Sequence, residues 1–146
     1  MADTVNTIQN LRNWLRSCPV ITQTRAFSID YSDGDPNRYA IFAAPSTLSF
    51  KSDVLGNIYY DAIQTASYYF AVTLPWGTDS KANASNYDEL TQLISWISAQ
   101  TLARNFPEIA EGTVKGIMPT LSPYPTQQGA ETALYQITLQ ITYRRK

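Results

Sequence analysis

The most regular pattern of hydrophobic and polar positions lies near the end of the chain, in residues 133–144. Apolar and polar side chains alternate there without a break after Leu134. Successive side chains of a strand point to opposite faces, so the pattern predicts one long strand with one apolar face and one polar face. We expect it to be central or near-central in an antiparallel sheet, with helices on its apolar side. The apolar parity consists of Tyr135, Ile137, Leu139, Ile141 and Tyr143.

Earlier stretches predict further strands. Residues 26–31 and 39–43 flank turn-forming residues at 32–37, which indicates a β-hairpin. A short extended segment follows at 47–51, and a turn at 53–57 precedes a long aromatic strand region at 58–74.

The segment before the last strand contains three prolines. Residues 114–118 predict a short strand, whereas residues 119–128 contain Pro119, Pro123 and Pro125 and predict a loop of fixed shape. We therefore expect the chain to leave the sheet here and to return only at the last strand.

Two stretches have helical periodicity. Asp3 or Thr4 is expected to cap a first helix, with a stripe that includes Ile8, Leu11 and Leu15, and Pro19 stops it. Asn86 and Glu89 resemble a capping box for a second helix, which continues to about Ala103. The polar residues 78–85 before it predict a loop.

Together these elements predict the α+β class. We expect one domain over residues 1–146, with a mainly antiparallel sheet of about four to five strands and two helices packed on one face.

Composition and charge suggest contact with other protein. Charged residues make up 16% of the chain, tyrosines number 10, and the net charge is −1, which gives no overall attraction to DNA or anionic lipid. The charge is divided, with about −3 over residues 29–61 and +3 from residue 113 onward, counted from the sequence. Opposite patches on one domain favour head-to-tail pairing of copies.

Reactive groups are few. The chain has no histidine and one cysteine, Cys18, and its six glycines form no phosphate-binding loop. We therefore expect no enzyme activity, no catalytic residue, no cofactor and no metal site, and we interpret Cys18 as a small buried residue. The first residues lack the pattern of a signal peptide, and no apolar run has membrane-spanning length, so we expect synthesis in the cytoplasm.

Several short blocks, in this order, resemble tail terminators, small proteins encoded between the capsid and tail genes of phages of Gram-positive hosts and often called minor capsid proteins. Each block is common strand, turn or helix sequence, and the ordered spacing over nearly the whole chain carries the resemblance. The blocks are Leu11-Arg12-Asn13, Cys18-Pro19, Phe27-Ser28-Ile29-Asp30-Tyr31, Tyr39-Ala40-Ile41, Lys51 with Asp53, Tyr68-Tyr69-Phe70-Ala71-Val72, Ile94-Ser95-Trp96-Ile97, Asn105-Phe106-Pro107, Glu111-Gly112, and Ala133-Leu134-Tyr135-Gln136-Ile137 with Tyr143.

The resemblance implies a structural virion protein at the junction of tail and neck. It implies a ring, typically a hexamer, that caps the head-proximal end of the tail tube, stops its polymerisation and docks to the neck or connector. The implied partners are further copies of the chain, the tube protein and the neck or connector protein, with the sheath as a further candidate and DNA only passing through the lumen. Alternatives are a head–tail connector ring, the cap of a headless contractile particle, and, more remotely, a small DNA-binding module.

The family provides no functional motif to transfer, so candidate contact residues come from the chemistry of this chain. Three segments are expected to be exposed: the polar residues 78–86, the proline-rich residues around Tyr124, and the basic C-terminal tip. The candidate interface residues are Trp76, Thr78, Asp79, Lys81, Tyr124, Arg144, Arg145 and Lys146.

Overall fold

A computed structural model gives the fold. It describes residues 6–19, 21, 27–29, 38–46, 48–75, 80–128 and 132–145. The architecture is α+β, as the sequence predicts. The elements are α1 (Thr7–Arg16), β1 (Phe27–Ile29), β2 (Arg38–Ala43), β3 (Phe50–Ser52), β4 (Ile58–Tyr60), β5 (Ile63–Pro75), α2 (Ser80–Ala103), β6 (Gly112–Gln128) and β7 (Thr132–Arg145).

Five strands form the main sheet in the order β1-β2-β5-β7-β6, and β3 pairs with β4 in a separate two-stranded sheet. All pairings are antiparallel except that of β1 with β2. β7 pairs with β5 from Thr132 to Arg144 and with β6 on its other side. The predicted internal position of this strand is therefore confirmed.

The apolar face of β7 forms the centre of the core. Every member of its apolar parity is buried, and the neighbouring face of β5 contributes Phe70, Val72 and Leu74. Both helices cover this face, because Leu11 and Leu15 of α1 belong to the same core as residues of α2. Trp14 and Trp96 join the two helices, with ring centroids 4.9 Å apart.

The first two strands differ from the predicted hairpin. β1 runs parallel to β2, with Phe27 opposite Tyr39 and Ile29 opposite Ile41. This register places Phe27 within 5.7 Å of Phe70 and 5.6 Å of Tyr39 between ring centroids. The hairpin prediction was wrong because contacts with β5 determine the strand direction, and local turn composition does not report them.

β6 is far longer than predicted and includes the prolines assigned to a loop. It is an edge strand, and its pairing with β7 shifts register at four places, three of them at or beyond Pro119. An edge strand tolerates proline because the missing N–H can face away from the ladder. The Thr101 hydroxyl donates to the Ile117 carbonyl at 2.7 Å and accepts from its N–H at 3.3 Å. α2 thus supplies hydrogen-bond partners for the backbone groups of Ile117 at the open edge of β6.

The helix boundaries also differ from those predicted. α2 begins at Ser80, so Asn86 is an internal helical residue with a buried side chain, whose amide lies 3.4 Å from the Tyr135 hydroxyl. Residues 80–85, which were predicted to form a loop, are helical, and residues 78–79 of that predicted loop lie outside the described residues. In α1 the cap is Asn6, whose side chain accepts from the Gln9 N–H at 3.0 Å, and the helix ends at Arg16. The expected caps, Asp3 and Thr4, lie outside the described residues.

The start of β6 provides a test of this packing. A Cβ at Gly112 would collide with the backbone of Arg144, whereas a Cβ at Gly116 would meet only the Thr101 methyl group at 3.8 Å. We predict that Gly112→Ala lowers the free energy of unfolding by roughly 1–3 kcal/mol, since a backbone neighbour cannot rotate away. Chemical denaturation measures this, with Gly116→Ala as the matched control. Equal effects of the two substitutions would contradict the register at Gly112.

Candidate assembly surface

One segment concentrates the exposed apolar surface. The described residues include eleven exposed large apolar side chains, and eight of them lie in residues 48–63, which we call the arm. Soluble proteins rarely leave so many neighbouring apolar groups in water unless a partner covers them. The eight are Leu48, Phe50, Val54, Leu55, Ile58, Tyr59, Tyr60 and Ile63.

The arm contains the β3–β4 sheet, whose residues are all exposed. Phe50 lies opposite Tyr60, and Ser52 lies opposite Ile58. Alternation along the strands therefore places Phe50, Ile58 and Tyr60 on one face. A concavity of about 380 Å³ is lined by these three residues and Tyr59. A two-stranded sheet is marginally stable in water, so the arm depends on its attachment to the body.

Gln64 anchors the base of the arm. Its side chain is buried. The amide oxygen accepts from the Ser49 N–H at 2.8 Å, and Nε2 donates to the carbonyls of Ser49 at 2.7 Å and Asp61 at 2.9 Å. One side-chain amide thus holds together the two segments of the arm, at Ser49 and at Asp61, beside the main sheet.

The end of β7 also contacts the arm. The Arg145 guanidinium lies over the Tyr60 ring, 4.3 Å from its centroid, and the Arg145 N–H donates to the Ala62 carbonyl at 2.8 Å. Within the arm, Lys51 pairs with Asp61 at 3.4 Å. The cation–π contact makes Arg145 part of the arm's support as well as part of the basic tip.

The tip of the arm is a tight turn around Asp53. Its carboxylate accepts from the N–H groups of Leu55 and Asn57, both at 2.9 Å, and from the Asn57 side chain at 3.1 Å. These bonds, chiefly those from Asn57, lower the pKa of Asp53. Gly56 has φ +84°, a conformation that a residue without Cβ adopts freely. The predicted turn at residues 53–57 is confirmed.

A second concavity, which we call the groove, lies along the start of β6 and has a volume of about 530 Å³. Ile109 and Val114 are buried in its lining, Phe106 and Pro107 are half-buried, and Arg104, Glu108, Thr113 and Lys115 are exposed. The residues that line it are Arg104, Phe106, Pro107, Glu108, Ile109, Gly112, Thr113, Val114 and Lys115.

Hydrogen bonds fix one wall of the groove to α1. The Trp14 indole N–H donates to the Asn105 carbonyl at 2.9 Å, and Asn10 Nδ2 donates to the Glu108 carbonyl at 2.9 Å. The Thr7 hydroxyl donates to the Glu111 carboxylate at 2.6 Å. This wall lacks regular secondary structure but has a defined position, so the shape of the groove is preformed.

The described residues offer little acid–base chemistry. Burial, together with the Glu111 and Tyr143 charges, raises the pKa of Tyr68 to about 12, and burial followed by Glu111 raises that of Tyr143. Both hydroxyls therefore stay protonated at neutral pH. No group of three His, Cys, Asp or Glu side chains comes together among the described residues. Cys18 is buried, as interpreted from the sequence. The absence of enzyme activity stays a prediction.

Four of the eight candidate interface residues from the sequence are among the described residues. Trp76, Thr78, Asp79 and Lys146 lie outside the described residues. Lys81 belongs to the first turn of α2, and Tyr124 lies within β6 opposite Gln136 rather than in a loop. Arg144 and Arg145 are exposed at the end of β7, where Arg144 pairs with Ile63 at the base of the arm and Arg145 packs on Tyr60. The sequence signal for the arm was the apolar pair Val54–Leu55 inside a turn.

In the described part of the chain, neither helix combines the length and hydropathy needed to cross a bilayer. No family model matches the chain, and no curated protein matches it. Among solved structures, one whose name states no function aligns at 12% identity over 94% of this chain and 90% of the other, with a TM-score of 0.47. A likeness at that level establishes neither a shared fold nor a shared function.

The anchor of the arm provides the next test. We predict that Gln64→Leu lowers the free energy of unfolding by roughly 1–3 kcal/mol, because it removes three hydrogen bonds and leaves the Ser49 N–H and the Asp61 carbonyl without the partner that Gln64 supplies. Gln140→Leu, at a half-buried position of β7, is the matched control and should change stability by less than about 0.5 kcal/mol. Urea denaturation measures both. A Gln64 variant as stable as its control would show that the amide does not anchor the arm.

The Asp53 turn at the end of the arm should depend on pH. Because the folded pKa of Asp53 lies below its ordinary value of 3.8, the stabilisation of the turn is complete above that value. It is lost as the pH falls through the lower, folded value. We predict that the amide NMR signals of Leu55 and Asn57 shift with a midpoint below 3.8. Asp53→Asn should abolish this transition. A midpoint at or above the ordinary value would exclude the carboxylate-centred turn.

Proposed function

We propose that this protein is a phage tail terminator, a structural protein whose copies form a ring on the head-proximal end of the tail tube. The observation that supports assembly most directly is the arm. Eight exposed large apolar side chains lie within residues 48–63, which is more clustered apolar surface than a soluble monomer commonly leaves uncovered. The ordered sequence blocks that resemble tail terminators supply the particular assembly.

The electrostatics of the arm favour a lasting contact with protein. Lys51 and Asp61 neutralise each other, and the Asp53 carboxylate is already hydrogen-bonded within the turn. Burying the arm therefore requires little desolvation of unpaired charge, which is the main cost of burying polar surface. An apolar surface with few unpaired charges is typical of permanent homomeric interfaces.

Assembly of the purified protein tests this function. We predict that electron micrographs show rings with a central hole, and that adding the protein to polymerising tube protein shortens the tubes, with the ring at one end. Ile58→Asp in the arm should abolish the rings, because a carboxylate replaces an apolar side chain that is 71% exposed in the monomer and covered in the ring.

Ser85→Asp is the matched control, since Ser85 is exposed on α2 beside Asn86, whose amide contacts Tyr135 at the end of β7 opposite to Arg144. It should leave the rings intact. Rings that bind the portal-side neck and leave tube length unchanged would favour the head–tail connector. Location in the capsid shell or the baseplate, with none at the tube end, would reject the terminator. Salt-dependent retardation of duplex DNA at physiological ionic strength would favour the DNA-binding alternative.

A further inference from the structure

Resting on this proposed function, we propose that the arm of one copy docks in the groove of a second copy, so that each ring contact joins two different surfaces. The partner is thus another copy of this chain. A contact between unlike surfaces can repeat from copy to copy and closes into a ring when the rotation per subunit divides a full turn.

The chemistry of the two surfaces is complementary. The accessible lining of the groove is mostly polar, and its half-buried Phe106 and Pro107 supply the apolar surface that can contact apolar side chains of the arm. The volume of about 530 Å³ is large enough for several such side chains.

Charged residues of the arm and of the groove can also orient the docked arm. The charged residues that line the groove are Arg104, Lys115 and Glu108, with a net charge of +1, and the two cations form no ion pair within the described part of the chain. The arm ends in the turn around Asp53, whose exposed carboxylate is ionised at neutral pH as that of an aspartate ordinarily is. Docking would bring this carboxylate towards two cations, which fixes orientation and register more than it adds affinity.

The two surfaces occupy suitable positions in the fold. The arm leaves the sheet where Ile63 pairs with Arg144, and Arg144 pairs in turn with Thr113 in the groove. The arm and the groove therefore lie at one end of the sheet, about 10 Å apart across two strand spacings. β6 is an edge strand, so the groove lies beside an open side of the molecule. The exposed side chains of the arm leave it available to a neighbouring copy.

Site-specific cross-linking tests the contact. The native cysteine is buried and should not react. Val54→Cys places a thiol at the tip of the arm, and Thr113→Cys places one in the groove without removing a basic residue. The two single variants are mixed, one with a size tag, and treated with a short bismaleimide. Ser85→Cys, also exposed but beside Asn86 at the other end of the sheet, replaces Thr113→Cys in the control mixture.

We predict a tagged–untagged dimer from Val54→Cys with Thr113→Cys, in several-fold excess over the control mixture. Rings without this excess, or with preferential linking of Val54→Cys to itself, would overturn the arm–groove contact and leave the ring intact. The specific cross-link without rings would support the contact and reject the terminator ring. Absence of both would reject both proposals.

Discussion

The pairing of β5 with β7 is the constraint on which the structure depends. The two strands pair along almost their whole length and bury their shared apolar face under α1 and α2. The pairing ends at Ile63 and Arg144. Beyond that point the chain leaves the main sheet, so the apolar side chains of the arm do not reach the core. The surface that we assign to assembly is thus a consequence of where the central pair of strands ends.

The arm is held in place but its apolar side chains are not covered. Gln64, Arg145 and the Asp53 turn supply polar contacts that define its direction. Its apolar side chains remain in water, where each fully exposed aliphatic or aromatic group forgoes about 1.5–3 kcal/mol of burial energy. Because the arm is ordered but not buried, its binding surface already has its shape before a partner binds. Preorganisation of this kind lowers the entropic cost of association.

Local sequence signals predicted what depends on local structure. The alternation in β7, the stripe of α1 and the turn at Asp53 were all found, because each signal lies within one element. Strand direction in β1, the inclusion of Pro119 and Pro125 in β6 and the start of α2 depend on neighbours distant in sequence. The arm was missed for the same reason. Ile58 and Tyr60 have the composition of a buried strand, and only the position of the sheet's end leaves them exposed.

The basic tip and the arm, which the sequence treats as separate features, share one structural unit. Arg145 belongs to the C-terminal charge cluster, yet its guanidinium packs on Tyr60 and its backbone binds Ala62. Removing the tip would therefore remove positive charge and loosen the arm at once. A loss of assembly on truncation could then arise from packing rather than from charge. Arg145→Lys keeps the charge but replaces the planar group that stacks on the ring, so it separates the two causes.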